Sequence, residues 1–205
     1  MKPAVDTNIQ ELLHSKLKNL EDFLEGDVFS YFGPIVNGHE NFVLKLIEDL
    51  ANDSEKRNKI YVLLTTNGGS AIAVERYVNI LRHFYTEVNF IVPDYAYSAG
   101  TIFCMSGDNI LMDYFSVLGP IDPQVQNKDG KWVAALGYLD KVKELLEKAS
   151  NNTLSDAEFL ILKDIDLAEL RGYEQARELS VSLLQRWLVK FSSFCARSIQ
   201  GANYS

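Results

Sequence analysis

Cysteine is nearly absent: Cys104 and Cys195 are the only two in 205 residues. Two thiols so far apart make neither a disulfide framework nor a zinc-ligand spacing, and a reducing compartment is expected. Histidine is almost as scarce. His14, His39 and His83 are all there are, and none has a recognisable orienting partner nearby in sequence. Basic residues are outnumbered, 20 Lys and Arg against 28 Asp and Glu, giving a net charge of -8 and a pI near 4.9. That excludes the basic footprint by which nucleic acid is bound. No apolar run approaches the roughly 20 residues needed to span a bilayer. The first residues, Met1-Lys2-Pro3-Ala4-Val5-Asp6, lack the apolar core of a signal peptide. The expectation is a soluble, cytoplasmic protein with no metal, no other cofactor, no membrane span and no nucleic-acid partner.

What is present is globular. Hydrophobic residues make up 47% of the chain and charged residues 23%, enough to build the core of one domain with an appendage. Residues 8–25 place Ile9, Leu12, Leu13, Leu17, Leu20 and Leu24 at helical spacing, and Gly26 stops the helix. Runs at 27–33, 60–66, 88–92 and 109–113 read as strands, with helices predicted over 41–50, 71–82 and 99–106. The run from Ile60 to Thr66 is continuously apolar and β-branched, which predicts a strand covered on both faces. Alternation of strand and helix implies parallel strands with crossover helices. Further on, Asp129-Gly130 marks a loop or hairpin, Tyr138–Ser150 reads as a helix, and the chain is helical from Ser155 to about Ser193 with a break near Arg171-Gly172. Three regions are expected: an N-terminal helix over 1–26, an α/β domain over 27–150 and a helical segment over 151–205.

In parallel α/β folds ligands bind beyond the carboxyl ends of the strands. Two loops fall there. One holds Asn67-Gly68-Gly69-Ser70. The other is the turn Tyr97-Ser98-Ala99-Gly100, between a strand and a helix rich in small residues. Ser98 reads either as a plain turn or helix N-cap or as a nucleophile held at a tight corner. The glycine loop reads either as a strand-ending turn or as a source of backbone amides close to a reacting carbonyl. The Ala99 amide, one residue past the serine, is a natural second donor. No histidine is placed as a base. A lysine can substitute where burial depresses its pKa, and Lys141 and Lys143 flank the apolar stripe of Tyr138, Leu139, Val142, Leu145 and Leu146. Helical periodicity leaves both open, as bases or as solvated lysines.

Together with Leu118-Gly119-Pro120-Ile121-Asp122-Pro123-Gln124, these motifs resemble the Clp-fold serine proteinases. Within them the chain is most similar to the serine dehydrogenase proteinase group, relatives of signal peptide peptidase A. The resemblance runs from about residue 28 to 195. It implies a ClpP/crotonase-like fold of repeated ββα units with C-terminal helices. It also implies a serine endopeptidase in which Ser98 is the nucleophile and Gly69 and Ala99 supply the oxyanion-hole amides. The Ser-His-Asp triad does not carry over, because Asp122-Pro123 stands where a histidine is required. A Ser-Lys dyad fits instead, with Lys141, 43 positions after Ser98, as the base and Lys143 as the second choice. The substrate implied is a peptide or protein, and the assembly a homo-oligomer, for which Trp187, Phe191 and Phe194 offer packing surface. Two other readings of the scaffold stay open: a crotonase-like enzyme acting on acyl-thioesters, and a catalytically silent assembly or adaptor protein.

Overall fold

A computed structural model describes residues 4–53, 56–126, 130–190 and 197–198. The chain enters through α1 (Ala4–Leu24), followed by β1 (Asp27–Phe32), α2 (Glu40–Ala51), β2 (Lys59–Thr65), α3 (Ala71–Phe84) and β3 (Glu87–Val92). Next come β4 (Tyr95–Ala96), α4 (Ala99–Cys104), β5 (Asn109–Met112), β6 (Val117–Leu118), β7 (Gln124–Gln126) and β8 (Trp132–Ala134). Three helices, α5 (Ala135–Ser150), α6 (Asp156–Lys163) and α7 (Leu167–Lys190), precede β9 (Arg197–Ser198).

The main sheet has the order β1-β2-β3-β5-β9, and every neighbouring pair is parallel. The fold is therefore α/β, as the alternation of elements implies. Its register lines up one residue from each of four strands. Phe29 pairs with Val62, Val62 with Phe90 and Phe90 with Ile110. All four are buried, and the ring of Phe103 meets Phe90 edge-on at 4.8 Å between centroids. Burying side chains of this size contributes roughly 1.5–3 kcal/mol each, so this row pins the register of the sheet.

β2 departs from the expectation of two covered faces. Ile60, Val62 and Leu64 are fully buried, while Tyr61, Leu63 and Thr65 are only half-buried. Continuous apolarity in the sequence hides this alternation, because Tyr61 and Leu63 are apolar enough to sit on a partly wet face. The amino ends of the strands are closed by a buried carboxylate. Asp27 accepts from the Tyr85 hydroxyl at 2.8 Å and from the Arg57 amide at 3.2 Å. Arg57 also donates to the Gly26 carbonyl and pairs with Asp22 at 2.6 Å, which ties the end of α1 to β1.

The small strands β4 and β6 pair in parallel outside the main sheet, and sequence periodicity did not signal them: two residues are too few to show a period. β7 and β8, on either side of the Asp129-Gly130 segment, pair antiparallel, while Asn127, Lys128 and Asp129 lie outside the described residues. α5 begins at Ala135, three residues ahead of the expected Tyr138. The helical break falls at 164–166 and not at Arg171-Gly172. Asp166 starts the new helix by accepting from the Ala168 and Glu169 amides. Gly172 is carried through α7, where Arg171 is bonded to Glu174 and Glu178. Of the residues expected at an oligomer surface, Trp187 is buried with Leu183 in the same core as the sheet. Phe191, Phe194 and the expected helix end at Ser193 lie outside the described residues.

Candidate active site

The site is built where β2 and β4 end side by side. Thr66 bridges Ala96: the Thr66 amide donates to the Tyr95 carbonyl at 3.1 Å and the Tyr97 amide to the Thr66 carbonyl at 3.0 Å. The chain then turns sharply. The Gly100 amide donates to the Tyr97 carbonyl at 2.8 Å, closing a β-turn with Ser98 at its first central position. Ser98 has φ 51° and ψ -116°, the dihedrals of that position in a type II′ turn, where glycine is usual. For serine this conformation costs on the order of 1–3 kcal/mol. Such strain persists because the bonds on both sides fix the corner. Ser98 is the N-cap residue of α4, yet its side chain makes no capping bond. Its hydroxyl donates instead to the Asp122 carbonyl at 3.2 Å.

The glycine loop lies against this corner. Gly68 and Gly69 have φ of +95° and +142°, values that only glycine adopts at little cost. The loop is anchored on one edge, since the Ile35 amide donates to the Gly68 carbonyl and the Ser70 amide to the Ile35 carbonyl, both at 2.8 Å. In such a parallel bridge the amide of the middle residue, Gly69, faces away from Ile35. On its other side Gly68 packs so close to the serine corner that an added Cβ would stand 2.5 Å from the Tyr97 oxygen and 2.9 Å from the Ser98 Cβ. Among the described residues, neither the Gly69 amide nor the Ala99 amide has a hydrogen-bond partner. Unused backbone amides are donors of the kind by which an oxyanion is stabilised in acyl transfer.

Ser98, Ala99 and the Gly68-Gly69 loop thus meet at one corner, through Gly68. Lys141 is not among them. Its amine is bonded to Glu144 at 2.8 Å on an outward face of α5, with 60% of its side chain exposed, and it has no hydrogen bond to Ser98 among the described residues. This ammonium, with Lys148 second, holds the Glu144 carboxyl below the usual carboxylate range. Lys143 is more exposed still, at 76%, and is paired with Glu147 at 3.8 Å. The buried residues of α5 are Ala135, Val142 and Leu145, so both lysines sit beside the stripe that packs inward. None of the three histidines bonds to Ser98: His39 precedes α2, His83 stacks edge-on with Phe84, and His14 lies on α1.

Three residues of the corner have no signal in the local sequence. Thr66 receives the Gly68 amide on its hydroxyl at 3.0 Å. The Thr101 hydroxyl lies 2.8 Å from the Ala96 carbonyl and 2.9 Å from that of Gly119. Asp122 meets Ser98 across 24 positions. A cavity of about 730 Å³ opens elsewhere, between α5, α6 and α7, lined by Tyr138, Leu160, Ile161, Ile165 and Tyr173. None of the corner residues lines it. Among the described residues no cluster of three or more His, Cys, Asp or Glu is suited to a metal ion, and no helix is long and apolar enough to cross a membrane.

A parallel α/β sheet that presents a strained serine at a strand-to-helix corner, packed against a glycine loop, defines a ClpP-like α/β protein. Residues 35–193 match the family described as ClpP-like SDH-type serine proteinase, and the chain belongs to that family. It is 33% identical over 147 residues to the uncharacterised protein MJ0137 of Methanocaldococcus jannaschii, covering 64% of this chain and 48% of that protein. A second uncharacterised protein of the same organism, MJ1495, is 33% identical over 116 residues, covering 57% of this chain and 36% of that protein. The chain therefore spans half or less of the length of these curated relatives. Among solved structures, the 1510-N membrane-bound stomatin-specific protease is similar with a TM-score of 0.46 and 18% identity, over 84% of this chain and 79% of that one. A second structure of that protease, in complex with a substrate peptide, gives 0.45 and 20% over 86% and 92%. The ClpP catalytic domain of Plasmodium falciparum gives 0.45 and 12% over 100% and 98%.

Proposed function

We propose that the chain is the catalytic part of a serine endopeptidase in which Ser98 attacks the peptide carbonyl. The observation that carries this reading is a strained Ser98 at a corner packed against the Gly68-Gly69 loop, with the Gly69 and Ala99 amides unpartnered among the described residues. In the reading, Ser98 Oγ bonds to the substrate carbonyl carbon and its proton passes to the neutral amine of Lys141. The developing oxyanion is received by the two amides. The lysine then returns the proton to the leaving amine; water, deprotonated by the same lysine, bonds to the acyl carbon, and the lysine passes that proton to Ser98 Oγ as the acyl–oxygen bond breaks. For this, Lys141 must give up Glu144 and reach the serine, so the base is the part of the site that rearranges. The reading includes a homo-oligomer, for which sedimentation of the purified protein is the check.

The test is cleavage of a fluorogenic peptide library, with fluorophosphonate labelling, by the wild type, Ser98→Ala and Lys141→Ala. Loss of cleavage and labelling in Ser98→Ala supports the nucleophile, and cleavage that survives it ends the reading. Loss in Ser98→Ala without loss in Lys141→Ala moves the base to another group. A crotonase-like acyl-thioester enzyme is favoured by one observation only, that among the described residues no base is bonded to Ser98 while the two amides are unused. Binding of an acyl-coenzyme A with no labelling at Ser98 is the result that would select it.

A further inference from the structure

The segment between β6 and β7 touches the serine corner at one end and α5 at the other. At the near end the Gly119 amide donates to the Ala96 carbonyl at 2.9 Å, and the Thr101 hydroxyl holds the Gly119 carbonyl at 2.9 Å. At the far end the Ala135 amide donates to the Pro123 carbonyl at 2.9 Å and the Leu136 amide to Asp122 Oδ1 at 3.1 Å. These are two of the first-turn donors that a helix leaves unsatisfied. The residue in the capping position of α5 is Ala134, whose methyl side chain has no acceptor to offer them. Between the two ends, the carbonyl of the same Asp122 accepts the Ser98 hydroxyl at 3.2 Å.

We propose that Asp122 is a positioning residue for Ser98: its carboxylate caps the start of α5, while its carbonyl orients the serine hydroxyl. One residue then fixes the relation between the nucleophile and the helix that bears Lys141. The proposal rests on the reading of Ser98 as the nucleophile. Asp122 is not itself the base, because the carbonyl, not the carboxylate, meets the hydroxyl, and the carboxylate is engaged by Leu136. At 3.2 Å the serine bond is longer than the usual O–H···O distance of about 2.7–2.8 Å. The hydroxyl is therefore aimed but loosely held, and a stronger acceptor displaces the carbonyl readily. Capping needs an acceptor oxygen and not a charge, so an amide in place of the carboxylate preserves it.

The experiment uses the whole chain and measures fluorophosphonate labelling at Ser98, with kcat and KM for a cleaved peptide, in Asp122→Ala and Asp122→Asn. Asp122→Ala is expected to lose about 10–100-fold in labelling rate and kcat with KM little changed, the signature of a misplaced reacting group. Asp122→Asn is expected to stay within about 3-fold of wild type, since its Oδ1 still accepts from Leu136. Wild-type labelling in a folded Asp122→Ala overturns the proposal. So does an Asp122→Asn as impaired as Asp122→Ala, which would make the charge the required property. Should Asp122→Ala fail to fold, Asp122→Asn decides alone: near-wild-type kcat with an unshifted pH profile supports positioning, and a loss beyond about 10-fold overturns it. Cleavage that survives Ser98→Ala fails the nucleophile reading and this proposal together, whereas a labelled wild type beside an unaffected Asp122→Ala fails only this proposal.

Discussion

Replacing Gly68 with alanine separates backbone strain from crowding at the serine corner, because the chain contains its own control. Gly38 and Gly68 share a φ of +95°. Alanine at either site incurs a positive-φ penalty of about 1–2 kcal/mol. Their surroundings differ. Nothing lies within 4 Å of a Cβ added at Gly38, whereas at Gly68 it would stand 2.5 Å from the Tyr97 oxygen, 2.9 Å from the Ser98 Cβ and 3.2 Å from the Ala99 nitrogen. Two of those atoms are backbone, and the Tyr97 carbonyl is already bonded to the Gly100 amide. The corner has to open, and overpacking of this kind costs about 1–3 kcal/mol. Gly38→Ala should therefore lose about 1–2 kcal/mol and Gly68→Ala about 2–5 kcal/mol, read from urea unfolding followed by tryptophan fluorescence. A displacement on the order of 1 Å at a nucleophile costs about 100-fold in rate. Fluorophosphonate labelling of Gly68→Ala should fall by that factor, while Gly38→Ala labels like the wild type. Equal stability losses in the two variants, or undiminished labelling in Gly68→Ala, would refute the packing argument.

Tyr85→Phe removes a hydroxyl bonded to the buried Asp27 carboxylate and should cost about 1.5–3 kcal/mol by urea unfolding; a loss below about 0.5 kcal/mol would mean that the Arg57 amide alone satisfies the carboxylate. Leu183→Ala removes a fully buried side chain of α7 from the sheet core and should cost about 2–5 kcal/mol. A near-neutral result would separate α7 from that core. Glu158 is held down at a pKa of about 2, first by its bond to Lys148 and then by the Ser155 amide and hydroxyl. The folded value lies below the unfolded one, near 4.3. The stabilisation is then present above that pH and lost as pH falls through about 2. Urea midpoints of the wild type and Glu158→Gln should differ at pH 6 and converge toward pH 2, and parallel curves over that range would contradict the linkage.

Periodicity and punctuation determine much of this molecule. Helical spacing of leucines sets α1, and β-branched runs ended by glycine or polar residues set the four principal strands. Their alternation with helices implies a parallel sheet, with Gly68-Gly69 and Ser98 at neighbouring strand ends. What periodicity misses is short or long-range. β4 and β6 span two residues each, and the break before α7 depends on Asp166 choosing the cap over a glycine that the helix tolerates.

Only the tertiary structure decided how the serine is held. The positive φ of Ser98 is held by the bonds that Tyr97 makes, its amide to the Thr66 carbonyl and its carbonyl from the Gly100 amide, and the Ser98 hydroxyl is aimed by Asp122, 24 positions away. It also decided the state of Lys141. Spacing along α5 leaves that residue free to point either way, and the nearby Glu144 carboxylate holds its ammonium outward. Local patterns along a chain encode which face of an element is apolar, because burial repeats with the period of the element. They do not encode which distant carbonyl a hydroxyl will meet, because that contact exists only after sheet and helices have packed.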